Sequence, residues 1–172
     1  MIIKPIYESK TFPSEVYLVQ NIFDDLAYAL KIILKRTAFE KDASEIFNRE
    51  WKSLKELNHD NIVSCYDYGE TEDFYFILID YVPQSITLEK FIRSNSNLPL
   101  IEKLKLFREI LLGVQHAHEK EIIHRDLAPN NILIAKDENG VHIKIIDFGI
   151  SKLKTYPVSY THLRAHETRS NL

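Results

Sequence analysis

Cysteine and glycine are scarce in this chain of 172 residues. The single cysteine, Cys65, excludes an intramolecular disulfide and any metal site built from several thiolates, and it fits a reducing compartment. Only four glycines are present, and the first of them is Gly69. The sequence therefore excludes a glycine-rich phosphate-binding loop near the N-terminus, and a cytoplasmic location is expected.

Long hydrophobic runs and an excess of one charge are also absent. The apolar run Phe74–Ile79 is strand-sized, far short of the ~18 residues that cross a membrane, and the first ten residues lack a signal-peptide core. Lysine and arginine number 22 against 25 acidic residues, which gives a net charge of −3. We expect no membrane and no nucleic-acid partner. With 45% hydrophobic residues, the chain is expected to fold into a core.

The apolar pattern predicts a mostly β unit followed by a helical unit, and thus an α+β fold in two lobes. The first unit comprises three short strands within residues 1–36, an amphipathic helix over 42–57, and strands over 62–69 and 74–82. After a hinge at 83–86 come a short helix over 87–93, a long helix from Pro99, and strands at Asn131–Ile134 and Val141–Ile146. The leucines and Phe107 of the long helix are expected to face the core.

Two charged residues interrupt these apolar patterns. Glu50 lies between Ile46 and Leu54 on the apolar stripe of the first helix, and Lys31 lies within an apolar strand. A buried carboxylate costs several kcal/mol unless a cation meets it. Either Glu50 lies at the edge of the stripe and reaches solvent, or it pairs with Lys31.

The segment His124-Arg125-Asp126 is followed by Asn131 and, sixteen residues later, by Asp147-Phe148-Gly149. Two aspartates and an asparagine at loop edges suit a hard cation that prefers oxygen ligands. These motifs, together with Ala29-Leu30-Lys31, Glu50 and residues 57–63, resemble the eukaryotic-type protein kinase family over about residues 5–152.

The resemblance implies a two-lobed fold and the transfer of a phosphoryl group from ATP to a protein hydroxyl, with serine or threonine favoured over tyrosine. Residues 1–82 would form the small lobe, an antiparallel sheet plus one helix, and residues 83–152 the start of an incomplete helical large lobe. Asp126 would act as the base, Asn131 and Asp147 would hold magnesium, and Lys31, positioned by Glu50, would contact the phosphates. The implied nucleotide contacts are Ser9, Val16, Ala29, Lys31, Asp80, Val82, Leu133 and Asp147.

Before its C-terminal residues, the chain departs from the family at two places. Residues 9–16, SKTFPSEV, carry none of the three glycines of the family's phosphate-covering loop, and Ala128 replaces a lysine that contacts the transferring phosphate. Both changes predict weaker nucleotide binding and slower transfer. Two alternatives stay open, namely a pseudokinase-like binding module and a small-molecule kinase of the same fold.

The C-terminal residues form a further departure. Residues 158–168, VSYTHLRAHET, resemble the translation of a DNA sequencing adapter. We therefore expect residues 153–172 to be an artefactual or disordered tail, and the chain to be an inactive N-terminal fragment of a kinase. Ser159, Tyr160 and Thr161 are accordingly not interpreted as phosphorylation sites.

Overall fold

The computed structural model describes residues 2–8, 14–23, 25–35, 40–137 and 140–148. Ser9 and residues 10–13 of the expected phosphate-covering loop, Gly149, and the tail 153–172 lie outside these residues, whereas residues 14–16 of that loop are described.

The first part of the chain forms one antiparallel sheet of five strands in the order β1-β2-β3-β5-β4. The strands are β1 (Ile2–Glu8), β2 (Ser14–Gln20), β3 (Ala27–Leu34), β4 (Cys65–Glu70) and β5 (Phe74–Asp80). Side chains alternate along β3, so that Ala29, Lys31 and Ile33 are buried on one face. This inner face of the sheet carries the residues that matter for the site.

Helix α1 (Glu40–Glu56) packs on the inner face of the sheet. Its buried residues recur at helical spacing, and Glu50 is among them with only 1% of its surface exposed. The other buried members of this stripe are Ala43, Ile46, Phe47 and Leu54. The open question of whether Glu50 reaches solvent is thereby answered, because it is enclosed.

A second sheet, in the order β6-β7-β8, is built from β6 (Ile86–Thr87), β7 (Ile132–Asp137) and β8 (Gly140–Ile145). Two helices lie between β6 and β7 in the chain, α2 (Leu88–Ser94) and α3 (Leu100–Glu119). Helix α2 begins where the Thr87 hydroxyl accepts the N–H of Lys90, and α3 begins after Pro99. The α+β class expected from the sequence is confirmed.

The turn after α1 joins the two sheets. The N–H of Val63 donates to the carbonyl of Ile145 at 3.1 Å, and the N–H of Ile145 donates to the carbonyl of Asn61 at 2.8 Å. Ile62 therefore pairs in parallel with Ile145 of β8 rather than extending β4. The strand predicted to start at residue 62 starts at Cys65 instead.

The expected burial of the leucine stripe on α3 is wrong. Its members are largely exposed: Leu100 (71%), Leu104 (52%), Phe107 (56%) and Leu111 (50%). A neighbouring side of the helix packs inward instead, through Leu106, Ile110, Gly113 and Ala117. Helical spacing identified the helix, but both of its faces carry apolar residues, so spacing could not tell which face is covered.

Among the described residues, none of the helices combines the length and the apolarity needed to cross a bilayer.

Candidate active site

The ammonium of Lys31 lies at the centre of the candidate site. Its Nζ is 2.8 and 2.9 Å from the two carboxylate oxygens of Glu50, and 2.7 Å from Oδ1 of Asp147. One cation thus connects three parts of the chain, namely strand β3, helix α1 and Asp147, which lies two residues after the end of β8. The structure brings together three residues that are 19 and 116 positions apart in the sequence.

Burial and charge act in opposite directions on this cluster. Burial alone would lower the pKa of Lys31, but the carboxylates of Asp147 and Glu50 outweigh it and raise that pKa above its ordinary value. Burial raises the pKa of Glu50 to about 7, although Lys31 pulls it down. Because both oxygens of Glu50 accept hydrogen bonds from the same ammonium, we take the pair as ionised.

His124 anchors the loop that precedes β7. Its Nε2 lies 2.9 Å from the carbonyl of Ile146, and its Nδ1 accepts the N–H of Asp126 at 3.3 Å. Since Nδ1 accepts, Nε2 must carry the proton and donate it to Ile146, which defines a neutral tautomer. The imidazole also packs on the ring of Phe148 with 4.6 Å between centroids. One buried side chain therefore joins the Asp126 loop to the segment that holds Asp147.

Asp126 and Asn131 face each other across this loop. The side-chain amide of Asn131 donates to the carbonyl of Asp126 at 2.8 Å and to its carboxylate Oδ2 at 3.2 Å. The loop closes in a 3₁₀ turn over Pro129–Asn131, and the carbonyl of Asn131 accepts the N–H of Ile146 at 3.0 Å. Because the amide nitrogen faces Asp126, the amide oxygen of Asn131 is left for another partner.

Two residues of the site have left-handed backbones. Arg125 has φ 66° and Asp147 has φ 60°. Non-glycine residues in this region cost about 1–3 kcal/mol and tend to cluster at functional sites. The hydrogen bonds of His124 and Asn131 to the neighbouring backbone hold both conformations in place.

The remaining expected nucleotide contacts are distributed over both sheets. In the strand ladders, Val16 pairs with Lys31, Ala29 with Ile79, and Leu133 with Thr87 of β6. Ala29 is buried, whereas Val16, Leu133 and Val82 are half-buried. The N–H of Asp80 is taken by the carbonyl of Ser64 at 3.1 Å, so a backbone contact from Asp80 to a ligand has to come from its carbonyl.

The Asp80 carboxylate has partners that the sequence analysis missed. It accepts the N–H of Ser64 at 2.9 Å, the hydroxyl of Tyr66 at 2.7 Å and the ammonium of Lys144 at 3.0 Å. Burial alone would raise the pKa of Asp80, but these three donors lower it below its ordinary value. Lys144 also donates to the carbonyl of Ile62 at 3.1 Å, so it ties β8 both to the end of β5 and to the turn after α1. The sequence did contain a signal for Lys144, because this lysine lies between two isoleucines in the predicted strand Val141–Ile146. The same kind of signal, a charged residue within an apolar strand, identified Lys31.

A recess of about 610 Å³ lies on the other face of the five-stranded sheet, lined by Tyr28, Leu30 and Leu78 among others. None of the expected site residues lines this recess. The candidate site is therefore defined by its side-chain contacts and not by that recess.

Comparison with known proteins agrees with the geometry. A family model described as the protein kinase domain matches residues 12–168. The chain is 39% identical over 150 residues to the serine/threonine-protein kinase PrkC of Bacillus subtilis, which covers 87% of this chain and 22% of that protein. It is 38% identical over 130 residues to the serine/threonine-protein kinase cds1 of Schizosaccharomyces pombe. That alignment covers 73% of this chain and 27% of the relative. It is 37% identical over 142 residues to the probable serine/threonine-protein kinase PknB of Lactococcus lactis. That alignment covers 81% of this chain and 22% of the relative.

The chain thus spans about a quarter of the length of these relatives. The residues matched by the family model nevertheless include Lys31, Glu50, Asp126, Asn131 and Asp147. The chain belongs to the protein kinase family.

Proposed function

We propose that this chain carries the nucleotide-binding and catalytic residues of an ATP-dependent kinase that phosphorylates serine or threonine hydroxyls of proteins. The observation that carries the proposal is the convergence of Lys31, Glu50 and Asp147 beside the Asp126–Asn131 loop. The relatives named serine/threonine-protein kinases support the choice of substrate class. We divide the chain accordingly into a small lobe over residues 1–82 and the start of a large lobe over 83–152.

The oxygens of Asn131 and Asp147 fit a magnesium ion. Among the described residues, no three His, Cys, Asp or Glu side chains cluster as a metal site. Magnesium needs no such cluster, because it is typically held by one or two protein oxygens together with phosphate oxygens and water. The amide oxygen of Asn131 and the half-buried carboxylate of Asp147 would hold it. Once bound, the ion would neutralise charge on the phosphates.

Lys31 has to exchange a partner before it can bind a phosphate. Its ammonium has three N–H groups, and the three contacts with Glu50 and Asp147 use all of them. The Asp147 contact is the one to be released, because Asp147 is 28% exposed whereas Glu50 is enclosed. Glu50 then keeps the ammonium in place while one N–H turns to the nucleotide.

Asp126 is proposed to accept the proton of the substrate hydroxyl. One of its oxygens is oriented by the Asn131 amide at 3.2 Å, and its backbone N–H is fixed on His124. The carboxylate therefore has a defined direction before a substrate arrives. A positioned carboxylate of this kind contributes by orienting the nucleophile and by taking up its proton.

Ala128 favours the second candidate, a pseudokinase-like binding module. An alanine supplies no cation for the transferring phosphate, and the carbonyl of Ala128 is already occupied by the N–H of Asn131. The loss of one such charge costs about 3 kcal/mol of transition-state stabilisation, so the kinase proposal predicts slow transfer, whereas the binding module predicts none. The third candidate is a small-molecule kinase of the same fold. It differs from a protein kinase in the acceptor that becomes labelled, which would be a small molecule instead of a protein.

The test is transfer of radiolabelled γ-phosphate from ATP to a generic protein acceptor by the whole protein, followed by identification of the labelled amino acids. We expect slow labelling of serine and threonine that disappears in the Asp126→Asn variant. Asp60→Asn, which changes an exposed carboxylate, is the matched control and should leave the rate unchanged. Nucleotide binding without any transfer would overturn the kinase assignment in favour of the binding module.

A further inference from the structure

Two stacked aromatic pairs fasten helix α1 to the sheet on either side of Glu50. The ring of Phe47 lies on Tyr75 of β5, with 4.7 Å between centroids and 19° between planes. The ring of Trp51 lies on Tyr68 of β4, at 3.9 Å and 10°. We call these four residues the aromatic clasp. Nothing in the sequence motifs of the site includes them.

The clasp grips one side of the helix at two different strands. Phe47 and Trp51 are four residues apart, so they lie one turn apart on the same side of α1. Tyr68 stands opposite Ile77 in the β4–β5 ladder, and Tyr75 is two residues from Ile77 along β5. Both tyrosines therefore share the inner face of the sheet with Ile77, which is fully buried.

The indole of Trp51 is also held from its own helix. Its Nε1 donates to the side-chain oxygen of Asn48 at 3.3 Å, and the amide of Asn48 donates to the carbonyl of Ser44 at 2.9 Å. A stack only 10° from parallel is sensitive to rotation, because turning the helix about its axis tilts one ring against the other. The rotation of α1 is thus fixed by contacts outside the Lys31 cluster.

Glu50 depends on that rotation. It lies between Phe47 and Trp51 in the sequence, and both of its oxygens must stay within 2.9 Å of one ammonium. We infer that Trp51 and Tyr68 are positioning residues, which hold α1 in the rotation that brings Glu50 to Lys31. The consequence for phosphoryl transfer rests on the proposed function. The consequence for the Lys31–Glu50 contact does not.

The inference is tested by how fast formaldehyde and a hydride reductant methylate Lys31 in the whole protein, measured by peptide mass spectrometry. We expect labelling of Lys31 to rise about tenfold or more in Tyr68→Leu, because Lys31 is enclosed in the original protein and the reagent reaches it only once α1 no longer covers it. Tyr68→Phe keeps the stack and should label at the original rate. Tyr7→Leu is the matched control, since Tyr7 is 59% exposed on the edge strand β1.

Lys144 in the same samples separates positioning from general loosening, because it is ion-paired with Asp80 and lies on β8, a strand that carries none of the four clasp residues. Equal acceleration of Lys31 and Lys144 would mean that the stack serves global stability, and would overturn the inference. Unchanged Lys31 labelling in Tyr68→Leu would overturn it as well.

Trp51→Leu removes the same stack from the helix side. It replaces Tyr68→Leu in the experiment if that variant does not fold. Trp51 is the single tryptophan of the chain, so its fluorescence in Tyr68→Leu also reports whether the stack is lost.

A second readout is the rate constant for phosphoryl transfer. A misplaced ion pair should lower kcat by between about 10-fold and 100-fold in Tyr68→Leu, with Tyr68→Phe restoring it. If the protein transfers no phosphate at all, this readout is lost, but the methylation result still decides the positioning role. Failure of the proposed function and failure of the inference are therefore distinguishable.

Discussion

At the scale of single residues, the enclosed Lys31–Glu50 pair dominates the energetics of the site. Removing one partner of a buried ion pair leaves an uncompensated charge and costs about 3–5 kcal/mol, whereas replacing both partners by apolar residues is often neutral. We expect Lys31→Met to lower the free energy of unfolding by about 3 kcal/mol, and Lys31→Met/Glu50→Leu to recover most of that loss. Urea denaturation of both variants measures the difference.

Lys105→Met is the matched control for this experiment. Lys105 pairs with Glu102 on the surface of α3, where an ion pair contributes less than about 1 kcal/mol. A double variant as unstable as Lys31→Met would show that the charge of Glu50 is not the source of the cost.

The Asp80 carboxylate makes a pH-dependent contribution to stability. Its pKa in the folded protein lies below the ordinary value of 3.8, so the carboxylate stabilises the fold above that pH. The stabilisation is lost as pH falls through the lower, folded-state pKa. We expect Asp80→Asn to be less stable than the original protein at pH 7, and the gap to close under acid conditions. Urea denaturation from about pH 2 to pH 7 measures it, and a gap that is constant with pH would contradict the role of the charge.

The sequence revealed some of these residues and not others. Lys31 and Glu50 could be found because each is charged within an apolar pattern, and each explains the other. Asp80 was expected only as a nucleotide contact. Its side-chain partners Ser64, Tyr66 and Lys144 were not found, because they are far away in the chain. Pairings that depend on how two sheets meet are not encoded in local spacing.

At the scale of elements, the contact between α3 and β8 depends on a glycine. A Cβ built on Gly113 would lie 2.9 Å from Cδ1 of Ile145 and 3.3 Å from Cβ of Asn61. Alanine favours a helix by about 1 kcal/mol over glycine, but overpacking costs about 1–3 kcal/mol. We expect Gly113→Ala to destabilise the protein, whereas Gln115→Ala on the exposed side should change little. A more stable Gly113→Ala, measured by urea denaturation, would show that the interface is loose.

The elements themselves were largely predictable, but their ends and faces were less so. Helix α1 runs over Glu40–Glu56 where residues 42–57 were predicted, and β5 ends at Asp80 rather than at residue 82. The two-residue strand β6 was missed, because so short a run carries no periodicity. The leucine stripe on α3 was expected to face the core and is largely exposed instead. Periodicity predicts that a segment is helical, but it does not show which side of the helix other elements will cover.

At the scale of the whole molecule, the two sheets meet at the site. The turn over Asn61–Val63 bonds to Ile145, Lys144 bridges to Asp80, and Lys31 reaches Asp147. These contacts join the first sheet, or the turn that leads into β4, to β8 or to the residues just after it. A nucleotide that bound at this junction would touch both parts of the molecule. Its binding would then depend on the proposed metal ligands on one side and on Lys31 on the other.

The most direct test of the central claim is the magnesium dependence of ATP binding to the whole protein, measured by isothermal titration calorimetry. We expect magnesium to tighten binding about tenfold or more in the original protein, the equivalent of one charge-assisted contact. The gain should vanish in Asp147→Asn and persist in Asp60→Asn. ATP affinity that is the same with and without magnesium, or the same in Asp147→Asn as in the original protein, would contradict a nucleotide and metal site at this junction.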